Sequence, residues 1–221
     1  MHQAYIFDLD GTLLNTLPTI LHYCNGSLLH FGFSPINMEQ CRSLCRLPAA
    51  TFYPKLLKMG GCEEKEADLL APEIHAYDVA AYLKDVKTGT SPFSGIVEML
   101  HALQEQGAQM AVLSNKPHPL VEELMTFFFP GLFDLCLGQR PGSPSKPDPA
   151  ALLQVADALG RSREQCVFIG DTDIDMLAGK RARMYLVAVE WGYMSPDELA
   201  AYEPDALIQQ PADLLSLFAT A

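Results

Sequence analysis

The chain has 221 residues and a mass of 24.3 kDa, enough to bury a full core and suited to one domain carrying an inserted module. Its 15 basic and 27 acidic residues give a net charge of −12 and a pI near 4.8, a field that disfavours nonspecific binding to nucleic acid or to an anionic membrane. An anionic substrate would therefore need a local cation or a bound metal in order to approach.

Ala4 to Phe7 is a short apolar run with β-branched and aromatic members, the pattern of a buried parallel strand. The chain enters it with no basic region or apolar signal core before it, and no apolar run reaches the roughly 18 residues of a membrane span. The expectation is a soluble, cytoplasmic protein without nucleic-acid or membrane partners, as a monomer or homodimer. Its six cysteines show no paired spacing of the zinc-ligand kind and suit a reduced thiol set. Asp8 and Asp10 stand at the end of the strand, just before Gly11. Two acids so placed can hold a divalent cation or divide nucleophile and acid/base roles, and a solvated acidic turn would look the same.

Leu17, Ile20, Leu21, Cys24, Leu28 and Leu29 recur mostly at spacings of three and four, which predicts an amphipathic helix stopped at Gly32. From Pro35 to about Lys87 the text stays helical in character, with breaks expected at Pro48, Gly60-Gly61 and Pro72. No buried strand is read there, so the block is expected to be an inserted helical module, with 88–95 as the return linker. Helix and strand then alternate: a helix over 96–105, a strand over 109–113, a helix over 119–128 and a short strand within 132–137. A helix follows over 149–159, then a strand over 166–169, a helix over 174–182 and a strand over 185–189. Repeated βα units predict an α/β fold, a doubly wound parallel sheet.

Four polar clusters fall at strand ends or beside them: Asp8-Leu9-Asp10-Gly11-Thr12, Ser114-Asn115-Lys116, Lys146-Pro147-Asp148-Pro149 and Gly170-Asp171-Thr172-Asp173-Ile174-Asp175. Together they suggest phosphoryl transfer, which needs positioning and cations around spread negative charge. In that reading Asp8 is the nucleophile, Asp10 protonates the leaving oxygen and then activates water, and Asp171 completes an oxygen-ligand set for Mg²⁺. Ser114 and the amides around Asn115 would bind phosphoryl oxygens, joined by Thr12 from the first cluster, and Lys146 would offset their charge.

The order DLDGT, helical block, SNK, KPDP, GDTDID resembles the haloacid dehalogenase superfamily over nearly the whole chain, specifically its phosphoglycolate phosphatase-like branch with a helical cap. The resemblance implies a core of residues 1–14 and 89–221 and an inserted α-helical cap of 15–88. It implies Asp8 as nucleophile, Asp10 as acid/base, Ser114 and Lys146 as phosphate ligands, and Mg²⁺ held by Asp8, the Asp10 carbonyl and Asp171, with Asp175 as an outer group. The acid at position 10 favours phosphate ester chemistry. Cys45-Arg46-Leu47-Pro48 is similar to the family's specificity loop but lacks its usual glycine, and Asn15 stands where many relatives carry Asp. Arg46, and less directly Arg42, would hold the distal part of an anionic substrate. The expected activity is Mg²⁺-dependent hydrolysis of a small phosphomonoester, phosphoglycolate-like or a sugar phosphate. A phosphosugar mutase, with His22 near the family's cap histidine, and a noncatalytic phosphometabolite-binding protein are the alternatives.

Overall fold

A computed structural model describes residues 3–47 and 49–218. Pro48, where a helix break is expected, lies outside the described residues, as do residues 1–2 and 219–221 of the expected core. In chain order, β1 (Ala4–Phe7) is followed by β2 (Leu14–Asn15), then by helices α1 (Leu17–His30), α2 (Met38–Cys45), α3 (Ala49–Met59) and α4 (Glu64–Tyr82), and by β3 (Ser91–Pro92). Next come α5 (Ile96–Glu105), β4 (Gln109–Pro117), α6 (His118–Phe128), β5 (Leu135–Gln139) and α7 (Pro149–Ala158). The chain continues with β6 (Cys166–Gly170), α8 (Asp173–Ala182), β7 (Tyr185–Val189), α9 (Pro196–Ala200), β8 (Ala206–Ile208) and α10 (Pro211–Leu217).

Six strands form one parallel sheet in the order β5-β4-β1-β6-β7-β8, and β1 pairs with β4 on one side and β6 on the other. Alternate residues of each strand enter different cores, as period-two side chains must. Tyr5, Phe7, Met110, Val112, Val167 and Ile169 pack with α5, α6 and α10 on one face. Ala4, Ile6, Ala111, Leu113, Cys166 and Phe168 pack with α7 and α8 on the other. The sheet is therefore doubly wound, as the βα alternation predicts, and both faces of its central strands are buried.

Helices α1–α4 lie between β2 and β3 and pack on one another. Where the chain leaves and re-enters the core, β2 and β3 pair antiparallel, Asn15 opposite Ser91. The return linker is thus a short ribbon, too brief at two residues per strand to show in the pattern. The break expected at Pro72 is absent: α4 runs through it, with Ala67, Ile74, Asp78 and Tyr82 buried on either side. That tertiary anchoring outweighs the backbone bond a helical proline forfeits. Beyond Val189 the sequence reading expects no further element, yet α9, β8 and α10 extend the sheet and its cover. Among the described residues no helix is long and apolar enough to cross a membrane.

Candidate active site

Because β1 sits between β4 and β6, three strand ends open side by side. Asp8 follows β1, Ser114 and Lys116 close β4, and Asp171 follows β6. The chain steps from β1 to one neighbour and later returns to the other, so this is the switch point at which open α/β sheets bind ligands.

Asp8 is buried, and its Oδ1 lies 2.6 Å from Lys146 Nζ, which also reaches Asp175 Oδ1 at 2.7 Å. Asn115 fixes that lysine from its backbone: Nδ2 donates to the Lys146 carbonyl at 2.8 Å, and Oδ1 accepts from the Lys146 amide at 3.0 Å. Asp171 accepts from Thr12 Oγ1 at 2.7 Å and from the Tyr193 amide at 2.8 Å. Asp175 Oδ2 accepts from Thr172 Oγ1 at 2.6 Å and from the Thr172 amide at 3.1 Å, the backward reach of an acid that starts a helix. The GDTDID stretch thus begins α8 and holds Lys146 with the same carboxylate. Both acids need bare neighbours: a Cβ at Gly170 would come 2.6 Å from Asp175 Cγ, and one at Gly192 2.5 Å from Asp171 Cγ. Asp10 is held by a different set, accepting from Thr16 Oγ1 at 2.5 Å and from Lys116 Nζ at 3.1 Å.

Asp8, Asp171 and Asp175 each bring an oxygen within 4.8 Å of the others, and all three are buried. Burial pushes the Asp8 carboxyl up to about 7, while Lys146 pulls it down and Asp175 adds to the rise. Burial also raises Asp171 well above the carboxylate range, reinforced by Asp175 and Asp8. For Lys146 burial disfavours the charge, but Asp175 and Asp8 outweigh it and hold its pKa above the ordinary value. Lys146 is paired with two of these three buried carboxylates, and Asp175 raises the pKa of the other two. An all-oxygen donor set of this kind fits a hard divalent cation.

These groups open on a cavity of about 410 Å³. Of the residues singled out in the sequence, Asp8, Asp10, Ser114, Asn115, Lys146 and Asp175 line it. Asp171, fully buried, meets the site through Asp8 and Asp175. Three side chains expected near substrate have protein partners. The Asn115 side-chain amide holds the Lys146 backbone, and the Thr12 hydroxyl donates to Asp171. Arg46 Nη1 pairs with Glu198 Oε1 at 3.2 Å and its Nε with Asp173 Oδ1 at 3.8 Å, which ties the end of α2 to α8 and α9. A guanidinium with two carboxylates at hand is engaged by them, and Arg46 is not part of the cavity wall. His22 and Arg42 are exposed and also stand outside it.

Sequence reasoning missed Thr16, whose hydroxyl meets that of Tyr193 at 3.0 Å beside Asp10, and it assigned no role to Lys116. Strand periodicity could have found the last, because Ser114 and Lys116 share one face of β4. From the helices, Tyr53, His75, Asp78 and Tyr82 line the cavity without any local motif.

The chain matches the model of the family described as haloacid dehalogenase-like hydrolase over residues 5–189. It is similar to the phosphoglycolate phosphatase of Xanthomonas campestris pv. campestris, 31% identical over 216 residues that cover 96% of this chain and 94% of that one. The Aquifex aeolicus phosphoglycolate phosphatase is 29% identical, with 97% and 96% covered. A crystal structure from Lactobacillus delbrueckii subsp. bulgaricus superposes with a TM-score of 0.88 at 25% identity, over 100% of this chain and 99% of that one. A haloacid dehalogenase-like family hydrolase from Streptococcus pneumoniae shares the fold, with a TM-score of 0.82 at 22% identity over 99% of each chain.

Proposed function

The chain belongs to the haloacid dehalogenase-like hydrolases and is a phosphoric monoester hydrolase, and we propose that it cleaves a small phosphorylated metabolite with Mg²⁺ through an aspartyl-phosphate on Asp8. Phosphoglycolate-like esters and sugar phosphates are the candidate substrates. The observation that carries this reading is Asp8 itself, paired with Lys146, adjoining two further buried carboxylates and facing the cavity. Asp8, the Asp10 carbonyl and Asp171 would hold Mg²⁺, with Asp175 beside them. Bound there, the ion supplies positive charge to the phosphoryl oxygens.

In the first half-reaction the Asp8 carboxylate attacks phosphorus, and the ester oxygen leaves with a proton from Asp10. In the second, Asp10 takes a proton from water, the water oxygen attacks phosphorus, and the bond to Asp8 breaks to release phosphate. Thr16 and Lys116 hold the Asp10 carboxyl for both transfers. Lys146 favours the ionised form of Asp8 and holds it in place, and the Ser114 hydroxyl, which accepts from the Lys116 amide at 3.2 Å, can donate its own proton to a phosphoryl oxygen. Residues 15–88 act as a cap over the core of 1–14 and 89–221, excluding water from the acyl phosphate. The ribbon of β2 and β3 at the crossing supports that division.

Phosphate release from a panel of phosphoesters with Mg²⁺ tests the reading, and Asp8→Asn is its control. Turnover that persists in Asp8→Asn, or after chelation of the metal, would sink it. A mutase is disfavoured by His22, which faces solvent away from the cavity. Phosphorus NMR of the products distinguishes free phosphate from an isomerised ester.

A further inference from the structure

The cavity above Asp8 extends among the helices of the inserted block, where its wall has a composition of its own. Leu47 and Phe52 supply apolar surface, Tyr53, Tyr82 and His75 supply aromatic edges, and Asp78 is the charged side chain that α1–α4 contribute. Among the described lining residues the cations are Lys116, Lys146 and Arg140, all from the core. Each has a partner: Lys146 holds Asp8 and Asp175, Lys116 holds Asp10 and lies 4.7 Å from the centre of the Tyr82 ring, and Arg140 meets the His118 ring.

Asp78 is 4% exposed. Ser27 Oγ donates to its Oδ1 and Tyr53 Oη to its Oδ2, each at 2.9 Å, so both oxygens are set as acceptors. Burial holds the carboxyl above its ordinary pKa, while those two hydrogen bonds and the Lys116 ammonium oppose the rise. In neither protonation state does Asp78 offer positive charge. Tyr82 is 2% exposed, and its hydroxyl lies near Thr90 and Lys116 without a hydrogen bond of ordinary geometry to either. A buried hydroxyl left unpaired is costly in the empty chamber and becomes useful when a ligand satisfies it.

We propose that this chamber receives the alcohol portion of the substrate and selects an uncharged, hydroxyl-bearing alcohol over a carboxylate-bearing one, with Asp78 and Tyr82 as the discriminating residues. The inference rests on the phosphatase reading above and narrows it. A hydroxyl can donate to Asp78 and accept from Tyr82. A carboxylate would face Asp78 with Lys116 and Lys146 already paired to carboxylates, an arrangement that like-charge repulsion and desolvation both penalise.

Two small esters isolate the difference. 2-Phosphoglycolate and 2-hydroxyethyl phosphate share the phosphate and the first methylene, and differ in ending on a carboxylate or a hydroxymethyl group. Values of kcat/KM for both, with Mg²⁺, are compared in the wild type, Asp78→Asn and Tyr82→Phe. The wild type is expected to favour the hydroxyl ester by about tenfold or more. Asp78→Asn keeps the side-chain shape and narrows that preference to about threefold by raising the phosphoglycolate value. Tyr82→Phe keeps the ring and removes a hydroxyl that makes no well-formed hydrogen bond, and it lowers the hydroxyl-ester value alone. A wild-type preference for phosphoglycolate, or a preference that Tyr82→Phe leaves unmoved, overturns the inference. Two further readouts separate it from the activity itself. Hydrolysis of p-nitrophenyl phosphate by the wild type reports the phosphatase reading, and calorimetric binding of the two esters to Asp8→Asn reports the chamber without turnover.

Discussion

Lys146→Met removes the ammonium that lies 2.6 Å from Asp8 and 2.7 Å from Asp175, while keeping a side chain of similar length. Lys146 is 2% exposed at its side chain and Asp175 0%, so water has little room to replace the lost charge. Removing one partner of a buried pair costs about 3–5 kcal/mol, because the carboxylates left behind are uncompensated. At about 2–4 °C of midpoint per kcal/mol in a chain of this size, the metal-free variant should melt about 6–20 °C below the wild type. The chief influence that lowers the Asp8 pKa disappears too, so a carboxyl already near about 7 moves higher. Since the nucleophile works ionised, the acid limb of kcat/KM should shift to more alkaline pH. Scanning calorimetry with chelator reads the first effect and a pH profile the second. Adding Asp175→Asn to Lys146→Met deletes one stranded carboxylate and should restore part of the loss, although Asp175→Asn alone destabilises; a double-mutant cycle displays that coupling. A midpoint change under about 2 °C together with an unmoved acid limb would refute the reasoning.

Gly192→Ala should leave the fold in place and displace Asp171, because the new Cβ would overlap its carboxyl carbon. A shift of about 1 Å at a reacting centre costs about a hundredfold, so kcat/KM should fall on that order and the Mg²⁺ requirement should rise; values within twofold of wild type would contradict it. Proton and metal should compete at Asp8 and Asp171. The Asp8 carboxyl lies near about 7 in the folded chain against 3.8 for the free group, so the folded state binds that proton more tightly and loses stability as pH climbs from about 4 through 7. A bound cation reverses the loss, and calorimetry should show Mg²⁺ affinity rising with pH and levelling above about 7; constant affinity between pH 6 and 8 is the contrary result. Arg46→Ala frees Glu198 and Asp173 from the end of α2 at a cost of about 0.2–1 kcal/mol, given that the pair is about a third exposed. Its KM should change by one common factor across charged and neutral esters, whereas a selective loss for carboxylate-bearing esters would return Arg46 to the substrate.

The core was legible for a physical reason. Ala4–Phe7, Cys166–Gly170 and Tyr185–Val189 are buried on both faces, so their apolar runs carry strand identity without needing context. The catalytic groups sit at the ends of such strands, and their spacing is local: Asp8 and Asp10 are two apart, and Asp171 and Asp175 four apart across a helix start. What escaped was the set of distant contacts that holds the site together. Tyr193 reaches Asp171 across 22 positions, and Thr16 meets Tyr193 across 177. The chain through Pro72 reads as a helix break because propensity is local, while the burial of Ile74 and Tyr82 that carries α4 onward is not.

The inserted helices show where such reasoning has to stop. Two charges there invited opposite assignments. Arg46, in a loop beside the site, suggests a receptor for an anionic tail, and Asp78, in the middle of a long helix, suggests nothing at all. Packing exchanges their roles. Arg46 is drawn outward to Asp173 and Glu198, while Asp78 is drawn inward by Ser27, 51 positions away, and Tyr53, 25 positions away. An alcohol entering the chamber meets an acceptor where the sequence suggested a cation. The relatives named for phosphoglycolate share this chain's family, but the charged side chain that the helices here bring to the chamber is an aspartate. A substrate carried over from those relatives by name would bring a carboxylate to the wall least able to receive it.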